Sequence, residues 1–178
     1  MPEQDSAVAA EQGVWTQLES LGIEYERLEC DPALADTAAF CAHYGVSLAD
    51  SANVIIVASK KEPYRYAACV VLADSRLDVN RTVRTLMGEK RVSFASAEQT
   101  RQLTGQVLGG VTVFGLPEGL PIYIDARVIE RERIVVGGGS RSCKLRLRPA
   151  ELEKLPGAQI ITGLAAIRQT GDTGSPGS

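Results

Sequence analysis

The chain has 178 residues, 44% of them hydrophobic and 23% charged, which supplies one globular core and is too apolar for a disordered chain. A formal net charge of −3 argues against DNA or long duplex RNA as partner, although a local basic patch could still meet a short RNA end. No apolar run approaches the roughly 20 residues that cross a bilayer. The acidic start of the chain lacks a basic-then-apolar leader, so a cytoplasmic location without a membrane partner is expected.

Residues 1–6 are set aside as a flexible N-terminus. Residues 7–21 read as an amphipathic helix, with Val14, Trp15, Leu18 and Leu21 on one face and Gly22 placed to end it. A strand is expected at 25–28, then a helix at 37–44 closed by Gly45. Apolar runs at 54–59 and 64–72 flank the turn residues Lys60, Lys61, Glu62 and Pro63, which makes them a hairpin. Asp78 stands where it would cap a helix over 79–87, closed by Gly88. A short strand follows at 92–94. Ser96 and Gln99 form a capping-box pattern that opens a helix to Thr104. Strands are expected at 120–124 and 134–136, and Asp125 is placed to cap one helical turn over 126–130. Along 144–147, Leu145 and Leu147 point one way, Lys144 and Arg146 the other. Pro149 suits the first position of a helix to 155, although Arg148 is a poor cap before it. Ile160 and Ile161 form a last strand. Residues 168–178, rich in Gly, Ser, Thr and Pro, are expected to be a disordered tail. Helices and strands are interspersed without a βαβα period. The fold expected for 7–167 is therefore a single α+β domain, a curved mixed β-sheet with a barrel-like core and surrounding helices.

Three sets of residues could carry chemistry. The cysteines (Cys30, Cys41, Cys69, Cys143) show no CxxC spacing and there is one histidine, His43, so free thiols and no metal site are expected. Cys41 and His43 are two apart on a helix and point to different faces, while Cys30 at a strand end stays open. Asp74, Asp78, Asp125 and Glu130 each suit a cap or turn, and nothing in the sequence brings two together. The third set is two glycine-rich segments, 105–115 and 137–142. Gly109 and Gly110 in the first, and Gly137, Gly138 and Gly139 in the second, let backbone approach a ligand and turn N–H groups into a cavity. Ser140, Arg141, Ser142 and Lys144 add hydroxyl and cationic donors suited to carboxylate or phosphate. Tight turns alone are the plainer alternative. Neither the P-loop spacing nor GxGxxG is present, so the residues by themselves leave the ligand unnamed.

Three blocks, 104–117 (TGQVLGGVTVFGLP), 120–125 (LPIYID) and 136–145 (VGGGSRSCKL), resemble in order and spacing the YbaK-like family, also called the prolyl-tRNA-synthetase-associated editing domain family. Thr37 on its helix, Gly45, Val46 and the strand from Val54 fit the same pattern, and the resemblance spans roughly residues 21–164. It implies an α+β domain with a curved mixed sheet. It also implies trans-editing, the hydrolysis of the ester joining a wrong amino acid to a tRNA 3′ end, as required when one binding step cannot separate near-isosteric amino acids. It implies no metal, no cofactor and no side-chain nucleophile. Water or a group of the substrate is positioned by backbone atoms of the glycine loop and by the terminal ribose. On this chain the loop is Gly109, Gly110, Val111 and Thr112, and the opposite wall is Gly138, Gly139, Ser140, Arg141 and Ser142. The implied partners are a tRNA 3′ acceptor end carrying an amino acid and an aminoacyl-tRNA synthetase.

Two positions depart from the family's pattern. Asn53 stands where VxKT has its anchoring lysine, so with Gly109 and Gly110 it completes the expected catalytic set without a charge-assisted hydrogen bond. Lys60 is about 23 Å further along an extended strand. Lys144, across the expected cleft, is the candidate replacement cation, and a solvated strand residue beside Arg146 is the alternative. Val113 stands where GGxxP has proline, a change that loosens the loop or reshapes the amino-acid pocket. The function expected is deacylation of tRNA carrying a small wrong amino acid. The alternatives are a binding module that kept the pocket without the chemistry, and a hydrolase of other small acyl esters.

Overall fold

Residues 2–168 are described by a computed structural model, in which the strands fall into three sheets. The central one has the order β5 (Val92–Phe94), β2 (Ala52–Ser59), β3 (Tyr66–Leu72), β6 (Ile122–Asp125) and β9 (Ala158–Ile161). β2 pairs antiparallel with β3, as the expected hairpin, and with β5, whereas β3–β6 and β6–β9 are parallel. The sheet is therefore mixed. Val54, Ile56, Val70 and Ile124 enter one core, and Val57, Ala67, Cys69 and Val71 enter another on the opposite face. Burial on both faces explains why these strands read as continuous apolar runs rather than alternating ones.

The second sheet is β1 (Glu26–Glu29), β8 (Cys143–Leu147) and β7 (Ile134–Gly137), all antiparallel. Its Val136, Leu145 and Leu147 meet Val14 and Leu18 of α1 (Pro2–Ser20) in the main core. On its other face Val135 packs with Cys30 and with Phe40 and Cys41 of α2 (Thr37–Tyr44). One parallel bridge, Ser51 to Val135, joins the two sheets. The third pairs β4 (Ser75–Leu77) with β10 (Ala165–Ile167), two strands too short to show a pattern in sequence. The described strands wrap the core but do not close, so barrel-like overstates the curvature.

Local signals set most boundaries. α2 ends at Gly45, whose φ of 71° is left-handed. In α4 (Ala97–Thr104) both bonds of the capping box form, Gln99 N to Ser96 Oγ at 3.0 Å and Ser96 N to Gln99 Oε1 at 2.9 Å. Elsewhere the structure differs. α1 starts at Pro2 and takes in residues 2–6. Asp78 stands at the N-cap as expected but makes no side-chain capping bond; its carboxylate accepts the Thr82 hydroxyl at 2.7 Å, and the segment starts as a π turn, Val79–Val83, before α3 (Arg84–Met87). Asp125 likewise occupies the N-cap of α5 (Ala126–Ile129) without a side-chain capping bond. It is buried, and burial pushes its pKa up against the Arg127 charge. The segment opened by Pro149 is a 3-10 helix, Pro149–Lys154. Of the expected tail, Arg168 N donates to the Asp74 carbonyl at 2.8 Å, and residues 169–178 lie outside the described residues. No described helix is long and apolar enough to cross a membrane.

Candidate active site

The two glycine segments meet backbone to backbone. Gly139 N donates to the Gly110 carbonyl at 2.8 Å. A Cβ on Gly110 would overlap the Ser140 backbone, and one on Gly137 would overlap the Val111 carbonyl. Glycine is required here by the approach of the two chains. At Gly109 (φ 87°) and Gly139 (φ 97°) it is also required by left-handed backbone.

Two further elements hold this junction. α1 braces it: Gly115 N donates to Gln17 Oε1 at 2.7 Å, the Ser140 hydroxyl donates to the Glu11 carboxylate, and Val14 lies against Gly139. Inside the first segment the buried Gln106 accepts from Thr112 N at 2.8 Å and donates to the Phe114 carbonyl at 2.9 Å. Sequence reasoning does not single out Gln106, although a lone amide in a glycine-rich apolar run is its signal. Gln106→Leu strands both backbone groups, each at roughly 1–3 kcal/mol. A fall in Tm of roughly 5–10 °C is the expected result by calorimetry, and an unchanged Tm would contradict this role.

Lys144 is buried rather than solvated, at 7% exposure. The alternation along β8 holds, but α2 and the residues before it roof the face on which Lys144 lies. Its Nζ donates to the carbonyls of Gly109 at 2.6 Å and Ala35 at 2.7 Å, and lies 5.4 Å from the Phe40 ring centroid. Burial lowers its pKa, helped by Arg141 and opposed by Cys30, Asp36 and Cys41. Lys144, Asn53, Thr37, Phe40, Gly109 and Val111 line one cavity. It is tight, with room for about one water. Asn53 is oriented by the Thr37 hydroxyl, which donates to its Oδ1 at 2.7 Å.

Residues 31–155 of this chain, more than half of it, match the aminoacyl-tRNA editing domain family. The chain belongs to that family. The fold of this editing domain is similar to that of a hypothetical protein seen in a crystal structure, at 26% identity and a TM-score of 0.77 over 86% of this chain and 99% of that one. It is also similar to a candidate trans-editing enzyme for prolyl tRNA synthetase, at 24% identity, a TM-score of 0.73 and coverage of 86% and 95%. A scaffold protein used for epitope grafting gives 22%, 0.72, 86% and 96%. At such identities the last two speak for the fold alone.

Other residues expected at the site lie around the editing domain's cavity rather than on its wall. Arg141 is a strut: Nη1 donates to Asp36 Oδ1 at 3.0 Å and to the Leu108 carbonyl at 2.9 Å, and Nε to the Pro32 carbonyl at 2.9 Å. Ser142 is exposed, with its carbonyl accepting from Cys30 N. Gly138 packs on the Cys143 thiol. Thr112 is fully buried, and its Oγ1 has no hydrogen-bond partner among the described residues. Val113 sits in the main core. Cys41 is buried and His43 exposed, on different faces as expected. Burial pushes the Cys69 thiol up to about 12 and Cys143 to about 11, and raises Cys30 and Cys41 as well. Thiols so protonated are poor nucleophiles near neutrality. Asp74 pairs with Arg127 at 3.4 Å, a structural contact.

Proposed function

We propose that this editing domain hydrolyses the ester linking a small amino acid to the 3′ end of a tRNA. The convergence of Lys144, Asn53 and the backbone of Gly109 and Val111 on one cavity, in a chain of the editing family, carries this reading. Water adds to the ester carbonyl carbon, the bond from that carbon to the ribose oxygen breaks, and the free amino acid leaves a restored ribose hydroxyl. Negative charge gathers on the carbonyl oxygen as water adds, and donors already aimed there lower the barrier. Lys144 has three N–H donors. Two serve Ala35 and Gly109, so the third can face that oxygen. A buried ammonium acts more strongly than an exposed one. On this reading Asn53, whose Oδ1 accepts from the Thr37 hydroxyl, binds the terminal ribose. Protonated thiols and an exposed His43 favour attack by water, positioned by backbone and ribose, over a side-chain nucleophile. The partner on this reading is a mischarged tRNA released by a synthetase.

The cavity holds about one water, which limits the amino acid. Glycine, alanine or serine esters should be cleaved at least about tenfold faster than leucine or phenylalanine esters, a difference of about 1.4 kcal/mol. A panel of mischarged tRNAs measures this by release of amino acid. Release from none of them at enzyme excess would overturn the reading in favour of a binding module. Equal rates on charged tRNA and on free aminoacyl esters would favour a general ester hydrolase.

A further inference from the structure

Beside the Lys144 cavity lies an open cleft of about 280 Å³, lined in part by Gly45, Ser47, Asp50, Arg131, Arg133 and Arg146. The two spaces share a wall. Val135 lines both, Asp50 of the cleft directly precedes Ser51 of the cavity, and Ser51 bridges to Val135. Lys144 and Arg146 are two residues apart on one face of β8, about 7 Å along the strand. Three guanidinium groups thus border one cleft in a chain whose net charge is −3.

We propose that this cleft binds the phosphodiester backbone of the substrate's single-stranded 3′ end, while the terminal ester reaches past Val135 into the Lys144 cavity. The proposal rests on the deacylase reading and adds the path by which RNA reaches the site. A guanidinium fork matches phosphate oxygens in pairs. The carboxylates now beside these arginines are replaceable. Arg131 meets Asp50 at 2.8 Å with both side chains 41% exposed, and Arg146 meets Glu26 at 3.6 Å. Exposed pairs of this kind contribute about 1 kcal/mol or less. Arg133 lines the cleft and is exposed. Glu132 and Asp50 in the same cleft favour a thin strand meeting one or two phosphates over a duplex.

The test compares mischarged tRNA with a small aminoacyl ester that has no phosphate, using Arg133→Glu and Arg146→Gln. On tRNA, Arg133→Glu should raise KM about tenfold, equivalent to about 1.4 kcal/mol of weaker binding, with kcat kept. The dependence of log KM on log salt should become shallower by about 0.7 for each phosphate no longer neutralised. Arg146→Gln should shift both in the same direction, and neither variant should alter hydrolysis of the small ester. Equal falls in rate on tRNA and ester, or an unchanged KM and salt slope on tRNA, would overturn the proposal. If the wild type hydrolyses neither substrate, the deacylase reading fails, and fluorescence anisotropy with uncharged tRNA decides the cleft by itself. Weaker binding by both variants supports it, and unchanged binding overturns it.

Discussion

Lys144→Met should lower kcat/KM for deacylation by about 10²–10³-fold on mischarged tRNA and small ester alike, the usual cost of removing a donor to a developing oxyanion. Methionine keeps the volume and removes the charge but takes the donor from the Ala35 and Gly109 carbonyls, so a stability loss of roughly 1–3 kcal/mol for each accompanies the expected fall in kcat. Retention of activity within about threefold would exclude Lys144 from the chemistry, since an oxyanion donor is worth far more. The pH dependence offers a second readout. Burial holds the Lys144 pKa below the ordinary lysine value, so its ammonium deprotonates earlier on the alkaline side and kcat/KM falls there. The Cys30 and Cys41 thiols beside it are themselves pushed up by burial, and Asp36 and Arg141 are the other charged groups facing it. Stability moves the opposite way. Between the folded and the unfolded pKa the unfolded lysine binds more protons, so the Lys144 contribution to stability rises with pH. Lys144→Met should remove both the alkaline fall in activity and that rise in stability.

Gly110→Ala should cost roughly 2–4 kcal/mol of stability and about 10²-fold in activity, because the new Cβ runs into backbone and has no flexible side chain to displace. The Gly110–Gly139 hydrogen bond would lengthen, and Lys144 would be pulled from the Gly109 carbonyl it now holds. Gly13→Ala is the matched control. It lies in α1 with nothing within 4 Å of the added Cβ, and should stabilise by about 0.5–1 kcal/mol through helix propensity. Denaturant unfolding and the deacylation rate measure both. Equal, small effects at Gly110 and Gly13 would mean that the two segments do not need their close approach.

Much of this fold is legible in sequence because its causes are local. The capping box of α4, the Gly45 and Gly88 helix ends and the β2–β3 hairpin each depend on a few consecutive residues. Local reasoning finds Asp78 at the N-cap but not its bond, since the carboxylate takes the Thr82 hydroxyl. It also misses β4 and β10, which become strands only by pairing across some ninety residues of chain. The site divides the same way. The glycine segments stand out by composition, and the order of their blocks points to an editing domain. Their mutual contact, the shared cavity of Asn53 and Lys144, and the anchoring of Arg141 by Asp36 come from packing alone. The alternation along β8 says which side chains share a face. Whether water or a helix covers that face depends on α2, a hundred residues earlier, and its cover turns Lys144 from a surface lysine into a buried cation.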